Sequence, residues 1–343
     1  MEKQAVFVLP MVVLFLVAPW VLESAFAGQI VAWGWNDYGQ CGVPTGNEFV
    51  AIAGGGYHSL ALKSDSSLVA WGNNTYGQCN VPAGNNFTAL AGGSWHSLAL
   101  SSDDLLAAWG NNTDGQCDVP AGNDFVAIAG GGYHSLALKS DGSLVAWGNN
   151  KYGQCNVPAS KDFAAIVGGF WYSRALKSDG SAVAWGWNKY HQYNVPTGSE
   201  FVTIAWGWFH NLALKWDGSV AAWGWNKYRQ CDVPIEGNFA AIASGGEHSL
   251  ALKSDSSNGA RVWNEYQQDM ASGSNLAVVT GGGYHSSGLV HAPAKLLLLV
   301  GLSAVALNLG ATVLSRKYGA KRQTSSVRGA RNDGRLGRNG IIR

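Results

Sequence analysis

The chain has 343 residues, 47% of them hydrophobic and only 13% charged, with 46 glycines, 16 tryptophans and a formal net charge of +1. That composition excludes a disordered or coiled-coil chain and describes a turn-rich, tightly packed β protein. The total also hides an asymmetry: residues 29–290 carry twelve Lys and Arg against nineteen Asp and Glu, about −7, whereas 315–343 carry nine basic residues and one acid, Asp333, so the acidic body argues against nucleic-acid binding.

Residues 1–27 read as a secretory signal. Lys3 opens it, an apolar run follows, and Ala25–Phe26–Ala27 offers a small-x-small cleavage site before Gly28.

Residues 28–290 repeat with a period of 38. Tryptophan in an AWG context falls at Trp33, Trp71, Trp109, Trp147, Trp185 and Trp223, with a weaker copy at Trp263. Histidine keeps the same beat at His58, His96, His134, His210, His248 and nearly so at His285, and Tyr172 takes the one vacant slot. A period of this length signals a solenoid, a propeller or an array.

One copy, residues 125–158, shows the elements. FVAIA is a short β-branched run stopped by glycines (strand A). HSLALK alternates (strand B) and meets Ser-Asp-Gly, a hairpin signal because glycine accepts the positive φ of a tight turn. SLVAWG is strand C, GNNKYGQ a loop, and CNVP a short strand D ended by Pro158. A–B pairs begin at Phe49, Phe87, Phe125, Phe163, Phe201, Phe239 and Leu276; C–D pairs begin at Val31, Val69, Ala107, Val145, Val183, Ala221 and Arg261. The chain thus opens on an orphan C–D pair and closes on an orphan A–B pair. The expectation is an all-β, seven-bladed β-propeller with four strands per blade, closed when the N-terminal C–D strands complete the last A–B pair.

The pattern GGxHSLALKSDGSLVAWGNNxxGQxxVP resembles the repeats of the regulator of chromosome condensation superfamily. Within it, the pattern resembles the secreted β-lactamase-inhibitory propellers, which use AWG, GQ and VP at this spacing. The resemblance covers residues 29–290 and implies protein binding through one face of a ring, with aromatics at the A–B turn as the contact surface. The last copy departs from it, since residues 262–274 have no GQCNVP.

Most repeated residues have a structural explanation. The AWG tryptophans suit the core between blades. The histidines, one per blade at the start of strand B, suit a hydrogen bond into their own glycine turn better than a shared metal. Cys41, Cys79, Cys117, Cys155 and Cys231 all fill one slot, too far apart for pairing, and read as small buried hydrophobes.

The A–B and C–D loops share one face, and there the repeats diverge. The residue before the histidine is Tyr57, Trp95, Tyr133, Trp171, Phe209, Glu247 and Tyr284 in turn. Phe170, Trp206 and Trp208 belong to the two most divergent A–B turns, and are expected near Trp187, Tyr190, Trp225 and Tyr228 of the C–D loops. Lys189, His191, Lys227 and Arg229 add positive charge. Aromatic residues that break a repeat on one face read as binding hot spots; the competing explanation is that they fill the mouth of the central channel.

Residues 291–295 form a linker. Residues 296–314, nineteen without a charge, would span about 28 Å as a helix, and the basic tail 315–343 would stay cytoplasmic. The reading is an exported, single-pass, monomeric binding module without cofactor, metal or catalytic residues, recognising a protein or glycan through the aromatic face. The alternatives are an inhibitor of a secreted or periplasmic hydrolase, and a glycan-active enzyme, for which the diverged loops hold no paired carboxylates.

Overall fold

The computed structural model describes residues 28–196, 201–233, 237–253, 261–263 and 276–291. The expected signal, the 296–314 span and the basic tail lie outside these residues. No helix among the described residues is long and apolar enough to cross a membrane.

All regular structure there is β. Strand β1 (Gly28–Gly34) stands alone in sequence. Hairpin triplets follow: β2 (Phe49–Gly54), β3 (His58–Lys63) and β4 (Leu68–Gly72); β5 (Phe87–Gly92), β6 (His96–Ser101) and β7 (Leu106–Gly110); β8 (Phe125–Gly130), β9 (His134–Lys139) and β10 (Leu144–Gly148). Then come β11 (Phe163–Gly168), β12 (Tyr172–Lys177) and β13 (Ala182–Gly186); β14 (Phe201–Trp206), β15 (His210–Lys215) and β16 (Val220–Gly224). The last are β17 (Phe239–Ser244), β18 (Ser249–Lys253) and β19 (Arg261–Trp263), and the hairpin β20 (Leu276–Gly281) and β21 (His285–His291). Each triplet is an antiparallel sheet with a register shift after the first residue of its first strand, as between Phe87 and Ala89. β1 pairs with β21 along its whole length, from Gly28↔His291 to Gly34↔His285, and meets β2 only at Gly28↔Phe49.

The strands are apolar on both faces because each sheet packs between two others. On β3, Leu60 and Leu62 face Phe87, Leu90 and Ala99 of the next sheet, while Ala61 faces Ile30 and Leu289. The period-2 alternation of a strand sends neighbouring side chains to opposite sides in this way. Burying one leucine contributes about 1.5–3 kcal/mol. The hairpin turn after β9 places Gly142 at φ 81°; the corresponding Ser66 holds φ 65° with a side chain. Ser66→Gly is therefore expected to stabilise the protein by up to about 1 kcal/mol, read as a small rise in Tm.

The expected fourth strand is a correction. Cys155 ends a turn and residues 156–158 (NVP) are irregular, as are their counterparts among the described residues. Asn150 Oδ1 accepts the Cys155 N–H at 2.8 Å, curling the chain, and Pro158 has no N–H for a ladder. Val157 still packs against the core between the third and fourth triplets.

Candidate functional site

The loop after each AWG is latched from inside by a glutamine. Gln78 is fully buried. Its Oε1 accepts the Tyr76 N–H at 2.9 Å, and its Nε2 donates to Asn73 Oδ1 at 3.0 Å. Its backbone carbonyl accepts Ser97 Oγ at 2.8 Å and Trp109 Nε1 at 2.9 Å, both from the next triplet. The latch fixes the loop and leaves Tyr76 exposed. It also anchors the AWG tryptophan between sheets, as the sequence suggested. In three loops tryptophan replaces the first asparagine: Trp35, Trp187 and Trp225. In those three loops the buried Nε2 of Gln40, Gln192 and Gln230 has no partner. An indole offers no acceptor.

The histidines correct a second expectation. Each ring lies against its own glycine turn, but its hydrogen bond goes to the next sheet. His58 Nε2 meets Ser97 Oγ at 2.8 Å, His96 meets Ser135 at 3.0 Å, His134 meets Ser173 at 2.8 Å, His210 meets Ser249 at 2.9 Å and His248 meets Ser286 at 2.7 Å. His285 meets Ser59 at 2.8 Å. Ser97, Ser135, Ser173 and Ser249 spend their own proton on a glutamine carbonyl, so the facing Nε2 is the donor. Burial pushes all six imidazoles down, to about 3 for His58, His134, His210 and His248 and about 4 for His96 and His285. The thiols are unpaired, as expected, but less buried than the reading as small buried hydrophobes implied. They are half-buried and free, with Sγ of Cys79 donating to the Asn73 carbonyl at 3.2 Å, and burial pushes that thiol up to about 11.

Above these anchors the aromatic residues of the A–B and C–D loops meet in one network. Tyr57 stacks on Trp95 (4.1 Å between ring centroids) and Tyr133 on Trp171 (4.8 Å). Phe170 touches Tyr133, Trp171, Trp208 and Phe209 at 5.1–6.0 Å. Phe209 meets Trp187, Tyr190 and Trp225 at 5.4–5.7 Å, and Trp225 meets Tyr228 at 5.0 Å. Trp208 lies against Gly246 and Gly283 and touches Tyr284 at 4.7 Å, which bridges the two halves of the network. Trp208 thus sits in the opening lined by the glycine turns. Most of the rings are half-buried; Tyr38, Tyr76 and Tyr152 are more exposed.

Trp206 stands apart. It ends β14 in the slot that is Gly54, Gly92, Gly130 or Gly168 elsewhere, and packs against the interior cluster of Val167, Leu176 and Ile204. Its neighbours are enlarged too. Tyr172 OH reaches the Gly207 carbonyl (3.2 Å) and Asn211 Oδ1 (2.9 Å), an enlarged copy of the histidine–serine link. Arg174, in a leucine slot, is fully buried, donates to the Gln192 carbonyl and lies 4.7 Å over the Trp223 ring. Part of the divergence read as a binding surface is therefore repacking between the fourth and fifth triplets. On the opposite face the sequence reading missed Trp216, 80% exposed in the turn after β15. Among the described residues no group of His, Cys, Asp and Glu is placed to hold a metal.

Residues 49–78, 87–116 and 125–154 match the regulator of chromosome condensation (RCC1) repeat. No curated protein matches the chain by sequence. Among solved structures, Prp20p from Saccharomyces cerevisiae, described with binding properties to Gsp1p and histones, superposes with a TM-score of 0.66 at 18% identity over 87% of this chain and 96% of that one. Human WBSCR16 gives 0.63 at 17% identity, covering 78% and 100%. The ectodomain of the Physcomitrella patens receptor kinase CR4 gives 0.62 at 22% identity, covering 72% of each. At such identities the likeness is one of fold: an RCC1-like propeller.

Proposed function

We propose that this chain, a carrier of regulator of chromosome condensation repeats, is a non-enzymatic binding module that grips a partner through its aromatic face. Its fold is read as a seven-bladed ring, supported by the β1–β21 pairing and the His285–Ser59 bond between the last and first repeats. Export and membrane anchoring complete the reading, supported by the sequence of residues 1–27 and 296–314. One structural neighbour, the CR4 ectodomain, is itself part of a receptor.

The observation that carries the proposal is the cost accepted in the tryptophan loops. A buried unsatisfied polar group costs about 1–3 kcal/mol. Gln192 and Gln230 bear it where Trp187 and Trp225 take the place of asparagine. A fold optimised for stability alone keeps the asparagine, as four-residue stretches such as GNNT and GNNK do elsewhere in this chain.

Trp187→Asn and Trp225→Asn test it. Each removes ring contacts worth about 0.5–1.5 kcal/mol apiece and returns the acceptor for the buried Nε2, so the two terms are of similar size and opposite sign. The expected result is a Tm within about 3 °C of wild type, with loss of the proteins captured by the immobilised full chain from a cell-surface extract. Unchanged capture by both variants overturns the proposal. Trp208 is a poor probe, since its removal empties the opening among the glycine turns.

A further inference from the structure

The two faces of the sheet array treat their lysines differently. At the strand ends of the turn face, Lys63 pairs with Glu48 (3.1 Å), Lys139 with Asp124 (3.3 Å), Lys177 with Asp162 (3.1 Å) and Lys161 with Asp141 (2.7 Å). On the aromatic face, Lys151, Lys189 and Lys227 occupy one slot of three successive loops, all exposed, and form no ion pair among the described residues. Each ammonium lies by the ring of the next residue instead, 5.4 Å from the Tyr152 centroid, 5.9 Å from Tyr190 and 5.0 Å from Tyr228, where Lys227 Nζ also donates to the hydroxyl at 3.4 Å. The same slot holds Asp37, Thr75 and Thr113 in the first three loops, so positive charge is confined to one side of the face.

Backbone strain falls on that side as well. Two residues beyond Lys189 and Lys227, where four other loops place a glycine at φ 76–82°, stand His191 at φ 61° and Arg229 at φ 64°. A left-handed conformation costs a residue with a Cβ about 1–2 kcal/mol, and here both such residues are basic. Arg229 is held by Asp232 at 2.8 Å.

We propose that the arc running Tyr152, Trp187, Tyr190, Trp225, Tyr228, with its three lysines, docks an acidic segment of a partner protein. This rests on the aromatic face being the binding face. Charge complementarity selects the partner: three cations without carboxylates, carried on aromatic supports, match a run of Asp and Glu. Ring geometry selects a polypeptide over a sugar. Sugar stacking needs open ring faces, whereas lysine ammonium groups lie by all three tyrosine rings of the arc.

The test uses the full chain and a fluorescein-labelled fifteen-residue peptide of alternating Glu and Gly, its Gln-for-Glu counterpart, and a heparin oligosaccharide, in fluorescence anisotropy at 50 mM salt. The acidic peptide is expected to bind at least ten-fold more tightly than the Gln peptide, and to weaken at least ten-fold in the Lys151→Glu, Lys189→Glu, Lys227→Glu variant and in 0.5 M salt, where charges are screened within a few ångströms. Equal binding of the two peptides, or no effect of charge reversal, overturns the inference. Tight heparin binding without peptide binding overturns it in favour of a polyanionic glycan. If cell-surface capture is lost in Trp225→Asn but kept in the lysine variant, the aromatic face stands and this inference falls. If both variants keep capture, both fall.

Discussion

Acidification from pH 7 to about 4.5 is expected to unfold this protein in one steep transition. Six imidazoles, His58, His96, His134, His210, His248 and His285, are fully buried, and burial pushes them down to about 3–4. For His58, neighbouring His285 and His96 push in the same direction. In the unfolded chain the same groups titrate near 6.5. Between those values the unfolded chain binds protons that the folded one refuses. Stability is therefore complete above about pH 6.5 and falls as the pH drops toward 4. Each group contributes about 1.4 kcal/mol per pH unit once below its unfolded pKa, so six together approach about 8 kcal/mol per unit. A domain whose whole stability is about 5–15 kcal/mol does not survive two such units. Circular dichroism against pH reads the midpoint, and the pH dependence of urea unfolding reads the proton uptake. A midpoint below pH 3.5, or an uptake of one proton, contradicts the account. The double variant His134→Tyr, Ser173→Asn copies the Tyr172–Asn211 pair and is expected to remove one proton from the uptake.

That relay also marks where sequence reasoning reached and where it stopped. The starts of the A strands, from Phe49 to Leu276, coincide with the observed strands, and the C strands agree within one residue except the first. Periodic apolar residues set those positions, and periodicity is what a sequence displays. The first C strand begins three residues early, at Gly28, because β21 extends its ladder, and a partner 260 residues away leaves no local mark. The fourth strand failed for the opposite reason. CNVP has strand-like letters, but an Asn side chain captures its first N–H, and hydrogen bonding from side chain to backbone competes with any ladder. The glutamine was visible in every GQ, yet its burial is a three-dimensional fact.

The candidate site divides along the same line. Phe209 meets Trp187, Tyr190 and Trp225 directly, and Phe170 links Trp171 and Trp208 to it, because strand alternation sorts loops to faces, which the sequence shows. Trp206 sits one residue short of the turn, at the end of a strand, and a strict count against Gly168 assigns it to the interior. Arg174 was missed altogether. Its signal was a charge at the third position of HSLALK, where every other described repeat has an apolar residue or, in HSSGLVH, a serine. Such a charge reads as an error in a core strand until a widened partner surface supplies aromatic rings for it.

Gly130→Ala carries a large expected loss from a single methyl group. A Cβ at Gly130 would lie 2.6 Å from the Gly92 carbonyl oxygen and 2.6 Å from the Gly93 nitrogen. Both are backbone atoms of the neighbouring sheet, so no side chain can rotate away, and relief requires the two sheets to separate. Separation breaks the link from Ser94 N to the Gly131 carbonyl (3.2 Å) and the His96–Ser135 bond (3.0 Å), and opens the cluster of Leu98, Leu100, Phe125 and Ile128. Overpacking of a close-packed core costs about 1–3 kcal/mol, and each lost hydrogen bond adds about 1, so a destabilisation of roughly 4 kcal/mol is expected. Urea unfolding measures it, and a loss below 1 kcal/mol means that the sheets slide apart freely. The chain already contains the control. Ser244 carries a Cβ in the equivalent slot beside an unchanged His210–Ser249 bond (2.9 Å), whereas the bulkier Trp206 fills it where the neighbouring histidine has become Tyr172, the serine Asn211 and a leucine Arg174. These longer side chains bridge the fourth and fifth triplets where the shorter set serves elsewhere. Adding His96→Tyr and Ser135→Asn to Gly130→Ala is expected to recover part of the loss, because it supplies the longer bridge; no recovery means the spacing between sheets is not what the glycine protects.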